Sequence, residues 1–319
     1  ENLNSITSYL MRRLEEDISS REETKKNEEI EFSPVNFPAQ KSVFIAGRVV
    51  CDAEGKLNAQ SVLLEGDRAT SAGNSIRLDI SKLESYALFP GQVVALQGLN
   101  STGQCFVASK AFQPKCPAPR NPSVDELQDD TKSLQSRPTS VMIASGPFTT
   151  SDNMLYWPLN ALLECVEEKQ PDVLVLAGPF VDSAHRDVCM GNLDLTFEAQ
   201  YEAVMHTIEQ KLAASPTRVL VLPSLNDVHH HNVFPQPPAP AKSTTNIEYL
   251  PNPASFKIND INFGIVNSDI LMHMSKQEIS RRAPGDKLNR LARLSSHLIS
   301  QRSFYPLYPP VKGANVDHS

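Results

Sequence analysis

The hydrophobic period of this chain changes once, and that change dictates two cores of different class. From Lys41 to Phe112, five short β-type runs follow one another: Val43–Val50, Ser61–Glu65, Ile76–Ile80, Val93–Leu99 and Cys105–Ala111. Turn residues punctuate them at Asp52–Gly55 and Ser101–Gly103, and Phe89-Pro90-Gly91 breaks the chain just before the fourth run. After Pro138 the pattern becomes strand, helix, strand, helix, strand: Val141–Ala144, Leu159–Glu168, Val173–Ala177, Phe197–Ala213 and Val219–Leu222. Such alternation builds a parallel sheet with covering helices. A length of 319 residues accommodates both cores.

The five runs, their length and their turns suit a small closed barrel, the OB-fold. In the second region, Phe197, Tyr201, Val204, Ile208 and Leu212 step by three and four onto one helix face, which is a core stripe. Val173–Ala177 and Val219–Leu222 are uninterrupted apolar runs, as central strands covered on both faces require. Between the two regions, Gln113–Pro138 holds five prolines and reads as a linker or covering loop. A proline-rich loop runs from Phe234 to Pro253. Ser255–Ile258 and Ile261–Val266 then flank Asn259-Asp260 as a hairpin, and a last helix covers about Lys287–Ile299. At the N-terminus, Leu3, Ile6, Leu10, Leu14 and Ile18 mark one face of a helix, followed by the charged run Arg21–Glu31. The stripe leaves open whether that helix packs on its own domain or on a partner.

A barrel of this kind can bind single-stranded nucleic acid through a basic groove lined with aromatics. Lys41–Phe112 carries seven basic and six acidic residues, and the whole chain has a net charge of −7, so a grip on phosphates is disfavoured. Phe44, Tyr86, Phe89, Phe106 and Phe112 are few, and several lie in core-like runs, which favours protein contact over DNA. No apolar run approaches the ~20 residues of a membrane span, which argues against a membrane partner. The cysteines Cys51, Cys105, Cys116, Cys165 and Cys189 are odd in number and scattered, with no C-x-x-C pair; they read as reduced thiols of an intracellular protein.

In a parallel α/β sheet, chemistry gathers beyond the carboxyl ends of the strands. The loops there read Ser145-Gly146-Pro147, then Gly178-Pro179-Phe180-Val181-Asp182, then Pro223-Ser224-Leu225-Asn226-Asp227-Val228-His229-His230-His231. Their order resembles the calcineurin-like metallophosphoesterases, whose loops read D-x-H, G-D-x-x-D and G-N-H-D/E. A two-metal site needs a carboxylate bridging cations about 3.5–4 Å apart. Here Ser145 and Pro147 stand where Asp and His belong, Pro179 stands at the bridging Asp, and Ser224-Leu225 replace the ligating Asn-His pair. Asp182, Asp227, His229 and His230 remain. The histidine run suits loop stabilisation or a partner contact better than ligation, because successive side chains point in different directions. No G-x-S-x-G elbow and no P-loop is present. The expectation is a vestigial site region with no catalytic residue, no metal and no cofactor.

An OB-fold followed by a phosphoesterase-like domain with broken metal loops resembles the B subunits of eukaryotic replicative DNA polymerases. The wording looks like that of the polymerase alpha-primase member. It is carried by Leu63-Leu64-Glu65-Gly66-Asp67-Arg68, Leu88-Phe89-Pro90-Gly91-Gln92-Val93-Val94, Gly146-Pro147-Phe148-Thr149-Thr150-Ser151-Asp152, Pro223-Ser224-Leu225 with Asp227-Val228-His229-His230, and Tyr305-Pro306-Leu307-Tyr308-Pro309-Pro310. The resemblance implies an α/β plus all-β protein: a five-stranded OB-fold barrel joined to a calcineurin-like phosphoesterase domain, an α/β sandwich without its metal site. The expected division is an N-terminal helix and charged linker over 1–40, the OB-fold over 41–112, the linker over 113–138, and the inactive phosphoesterase-like domain over 139–319. It further implies a nuclear, non-catalytic accessory subunit. Its partners would be the C-terminal domain of the polymerase alpha catalytic subunit and, through the complex, the primase subunits, with DNA met only indirectly. Family members continue beyond both ends, so the chain is expected to be a fragment. Two other readings stay open: an active metal-dependent phosphodiesterase using Asp182, Asp227, His229 and His230, and a single-stranded-DNA-binding OB-fold module.

Overall fold

The computed structural model describes residues 8–18, 32–52, 55–114, 138–240, 246–259, 261–285 and 288–317. Leu3, Ile6, the run Arg21–Glu31, Cys116, nearly all of the 113–138 linker and the first residue of the expected last helix lie outside them. By contact the chain divides into two compact units. One comprises Glu1–Pro119, Asp269–Gly313 and His318–Ser319, the other Arg120–Ser268 and Ala314–Asp317.

In the first unit, helix α1 (residues 8–18) precedes β1 (Ala39–Cys51), β2 (Val62–Glu65), α2 (Arg68–Ser71), β3 (Ser75–Asp79), β4 (Tyr86–Leu88), β5 (Val93–Asn100) and β6 (Cys105–Phe112). All these strands except β4 close a barrel in the order β1-β2-β3-β6-β5. The pairing β3 with β6 is parallel and the others are antiparallel. This is the five-stranded barrel that the sequence pattern predicts. The unbroken apolar run of β1 has a simple cause: Ile45 and Val49 enter the barrel core, while Phe44 and Ala46 face outward. On the outside they meet Leu10, Met11, Leu14 and Ile18 of α1, together with Val93 and Ala95 of β5. Helix α1 therefore packs on its own barrel, where each fully buried side chain contributes roughly 1.5–3 kcal/mol.

The second unit starts with β7 (Val141–Ser145), α3 (Trp157–Lys169) and β8 (Val173–Ala177). It continues with α4 (Arg186–Met190), α5 (Phe197–Leu212), β9 (Arg218–Leu222), β10 (Ile247–Tyr249), β11 (Ala254–Ile258) and β12 (Ile261–Ile265). Strands β10, β9, β8 and β7 form a parallel sheet in that order. Its central strands bury both faces. Leu174, Leu176, Val219 and Val221 pack on one side with Leu159 and Leu163 of α3 and Val204 and Ile208 of α5. Val173, Val175, Leu220 and Leu222 pack on the other with Ala254, Ile258 and Phe263 of the β11–β12 hairpin. The stretch read as a proline-rich loop from Phe234 to Pro253 contains β10, whose three residues are too few to show a period.

The remaining segment holds α6 (Ile270–Gln277), β13 (Ile279–Arg281) and α7 (Arg290–Gln301). Sequence reading assigns 139–319 to one domain, but Asp269–Gly313 groups with the barrel. Backbone pairing explains why: Ile279 is opposite Leu88 and Arg281 opposite Tyr86 in a β13–β4 ribbon. The buried Gln301 side chain accepts from the Val93 amide at 2.8 Å and donates to its carbonyl at 3.0 Å, acting as one rung of a sheet. The Tyr308 amide donates to the Pro90 carbonyl at 3.1 Å. No helix among the described residues is long and apolar enough to cross a membrane.

Candidate functional site

Three loops leave the carboxyl ends of β7, β8 and β9 and are stitched to one another by main-chain bonds. The Gly146 amide donates to the Ala177 carbonyl at 2.8 Å, Gly178 to Leu222 at 2.9 Å, Ser183 to Asn226 at 2.9 Å and Val228 to Val181 at 3.0 Å. Close approach fixes two glycines. A Cβ on Gly146 would lie 2.2 Å from the Pro179 carbonyl oxygen, and one on Gly178 would lie 2.4 Å from an Asp227 carboxylate oxygen.

Asp227 is the hub, with 3% of its surface exposed. Its Oδ1 accepts the backbone amides of Phe180 at 2.5 Å and Val181 at 3.0 Å, and its Oδ2 accepts that of Ser224 at 3.0 Å. One carboxylate thus satisfies three buried donors from two loops. Burial pushes its pKa up to about 6, against the opposing pull of those three amides and with some help from the charge on Asp182. Asp182 meets Asp227 through an isolated backbone bridge, and its own Oδ1 accepts the Ala184 amide at 3.0 Å, an Asx turn.

The side chains of the remaining site residues are tied to separate partners. Ser224 is buried, and its hydroxyl accepts the Asn226 amide at 3.1 Å. Ser145 is exposed and its hydroxyl donates to the Gly146 carbonyl at 3.4 Å, while Pro147 and Pro179 each follow a cis peptide. His229 stacks on Tyr201 with centroids 3.8 Å apart, and both its ring nitrogens are buried without a hydrogen-bond partner among the described residues. Burial, with the neighbouring His230, drives its pKa down to about 4, so the ring is neutral near pH 7. His230 bonds through Nε2 to the Pro237 carbonyl at 2.8 Å.

Other groups, unmarked by any motif, complete the clamp. Gln236 donates through Nε2 to the carbonyls of Ser224 at 3.0 Å and His231 at 2.8 Å. Asn267 donates to Gly178 at 2.9 Å and Pro223 at 3.2 Å, and is itself gripped by Asn252 through both ends of its amide. Tyr156 donates to the Phe180 carbonyl at 2.8 Å. Asn252 precedes a cis proline, the one local cue that the sequence offers for this group. Among the described residues, no three His, Cys, Asp or Glu side chains converge as cation ligands. The donor set does not fit a pair of divalent ions: the Asp227 carboxylate is saturated by main-chain amides, Asp182 closes an Asx turn, His229 is stacked on Tyr201 and His230 is bonded to the Pro237 carbonyl.

Comparison with known proteins places the chain among relatives of one kind. A family model for the B subunit of DNA polymerase alpha/epsilon matches residues 141–318, and one for the OB domain of the DNA polymerase alpha B subunit matches residues 8–114. The DNA polymerase alpha B subunit of Rattus norvegicus is 37% identical over 302 residues, covering 93% of this chain and 49% of the relative. That of Schizosaccharomyces pombe is 34% identical over 279 residues, covering 85% and 48%. That of Saccharomyces cerevisiae is 28% identical over 303 residues, covering 88% and 42%. The chain spans about half the length of the relatives it matches.

Proposed function

The chain belongs to the family of DNA polymerase alpha/epsilon B subunits, and from that premise we propose that it serves as a non-catalytic accessory component of the nuclear DNA polymerase alpha-primase complex. In this reading the second unit is a calcineurin-like phosphoesterase domain whose metal loops have become a structural knot. The barrel and this domain offer shaped surfaces that hold the C-terminal domain of the polymerase alpha catalytic subunit, with primase joined through the same assembly. DNA is met only through the complex.

The observation that carries the proposal is the state of Asp227. A carboxylate that ligates a metal must turn lone pairs toward the ion, whereas both oxygens of Asp227 point at amides of the chain. A site without ligands leaves a surface, and a surface can scaffold. The excess of acid over base, 37 against 30, supports protein contact over a phosphate grip.

Co-expression of the 319-residue chain with the C-terminal domain of the polymerase alpha catalytic subunit tests it. A 1:1 complex that survives size-exclusion chromatography at micromolar concentration is expected. Separate elution of the two at that concentration would overturn the scaffold reading.

A further inference from the structure

In the barrel unit, a cavity of about 310 Å³ opens beside the β13–β4 ribbon, where Tyr86, Arg281, Arg282, Leu288 and Arg293 contribute to its wall. Among the described residues three arginines line it and no Asp or Glu does. Nearby Glu278 is buried, and its carboxylate receives Arg293 at 2.8 and 2.7 Å and His297 at 3.2 Å. Burial works against that charge, but these donors hold its pKa down to about 2, so Glu278 is ionised and turned to Arg293 and His297. Its negative charge is therefore matched inside the protein.

Arg281 is fixed for presentation. Nη1 donates to the carbonyls of Ser81 at 3.0 Å and Leu83 at 3.1 Å, and the guanidinium lies over the Tyr86 ring at 5.2 Å. Those contacts are to neutral groups, so among the described residues the cation is oriented but not neutralised, and its fork geometry suits a carboxylate. Arg282 beside it is exposed. Apolar Ala87, Leu88, Val94 and Ala111 share the rest of the wall with polar groups such as Gln113 and Ser296.

We propose that this cavity binds an acidic segment of a partner protein, with one or two carboxylates on Arg281 and Arg282 and a large apolar side chain against the Leu88–Val94 wall. The volume is that of a site for a few side chains. The mixed lining favours a peptide over a nucleic-acid backbone, which wants an open basic track. The site lies in the barrel unit and stands whether or not the strand-end loops are read as a vestigial phosphoesterase site.

Selection from an unbiased library of displayed twelve-residue peptides on the full chain, counter-selected on the R281E/R282E chain, tests the idea. Peptides kept by the parent and lost on the variant should carry Asp or Glu beside Leu, Ile, Phe or Trp. The best of them should bind roughly tenfold more weakly to R281E/R282E, and measurably more weakly to R282E, by fluorescence anisotropy. R282E alone spares the Arg281 bonds, so it separates a lost site from a lost fold. Failure to recover any peptide that distinguishes parent from variant, or recovery of basic or neutral peptides only, would overturn the proposal. So would tight binding of a labelled oligothymidylate abolished by the same substitutions, which would assign the cavity to nucleic acid.

Discussion

Asp227 and His229 sit two residues apart and respond to pH in opposite directions. The His229 pKa is lowered from 6.5 to about 4. The folded chain then binds fewer protons there than the unfolded chain, so this residue's contribution is full above about pH 6.5 and is lost as pH falls toward 4. The Asp227 pKa is raised from 3.8 to about 6, so its contribution is full below about pH 3.8 and is lost as pH rises toward 6. Over the shared window the two oppose each other. H229F keeps an aromatic ring on Tyr201 and removes one arm, so the stability of H229F relative to the parent should be greater at pH 5 than at pH 7.5. Thermal melts at the two pH values check this, and an equal difference at both would refute the buried neutral imidazole. D227A leaves three buried amides unpaired and should destabilise the chain by roughly 2–4 kcal/mol in urea unfolding. The loops that carry these residues were legible in the sequence, because a parallel sheet puts chemistry at its carboxyl strand ends. The amides Gln236, Asn252 and Asn267 were not, because their role is to meet carbonyls that only the tertiary fold brings near.

Among the elements, those with a long or doubly covered apolar run were readable and the short ones were not. Strand β1 shows why: inward Ile45 and Val49 alternate with outward Phe44 and Ala46, giving a run too apolar for any loop. Ribbon β13–β4 is the converse case. Each strand has three residues, their partners are some 190 positions apart, and Arg281 opposite Tyr86 is no local signal. The pairing explains why a helix and a tyrosine-proline segment late in the chain belong to the barrel. Helix α1 was legible as an amphipathic helix, but the surface it covers was not, since an apolar stripe does not name its partner. Truncating its most buried leucine in L14A should cost about 2–4 kcal/mol and loosen the outer face of β1 and β5. Hydrogen exchange should then rise at Phe44 and Ala95; unchanged protection there would contradict the packing of α1 on the barrel.

At the scale of the whole molecule, two cores of different class carry two kinds of surface: a barrel unit with an arginine-lined cavity, and an α/β unit whose strand-end loops are locked by their own backbone. Membership of the B-subunit family rests on both regions, since one family model covers the barrel and the other the α/β region. The change of hydrophobic period points to both cores, and in the proposed reading Pro179, Ser145 and Ser224 stand where a metallophosphoesterase keeps its ligands. The most direct test of that misfit is metal stoichiometry. After dialysis against Mn²⁺ and removal of free ion, mass spectrometry of the purified chain should find no bound manganese, and a chromogenic phosphodiester should not be turned over. Two manganese ions per chain, with turnover abolished by D227N, would show that the strand-end carboxylate serves catalysis and contradict its role as a structural knot.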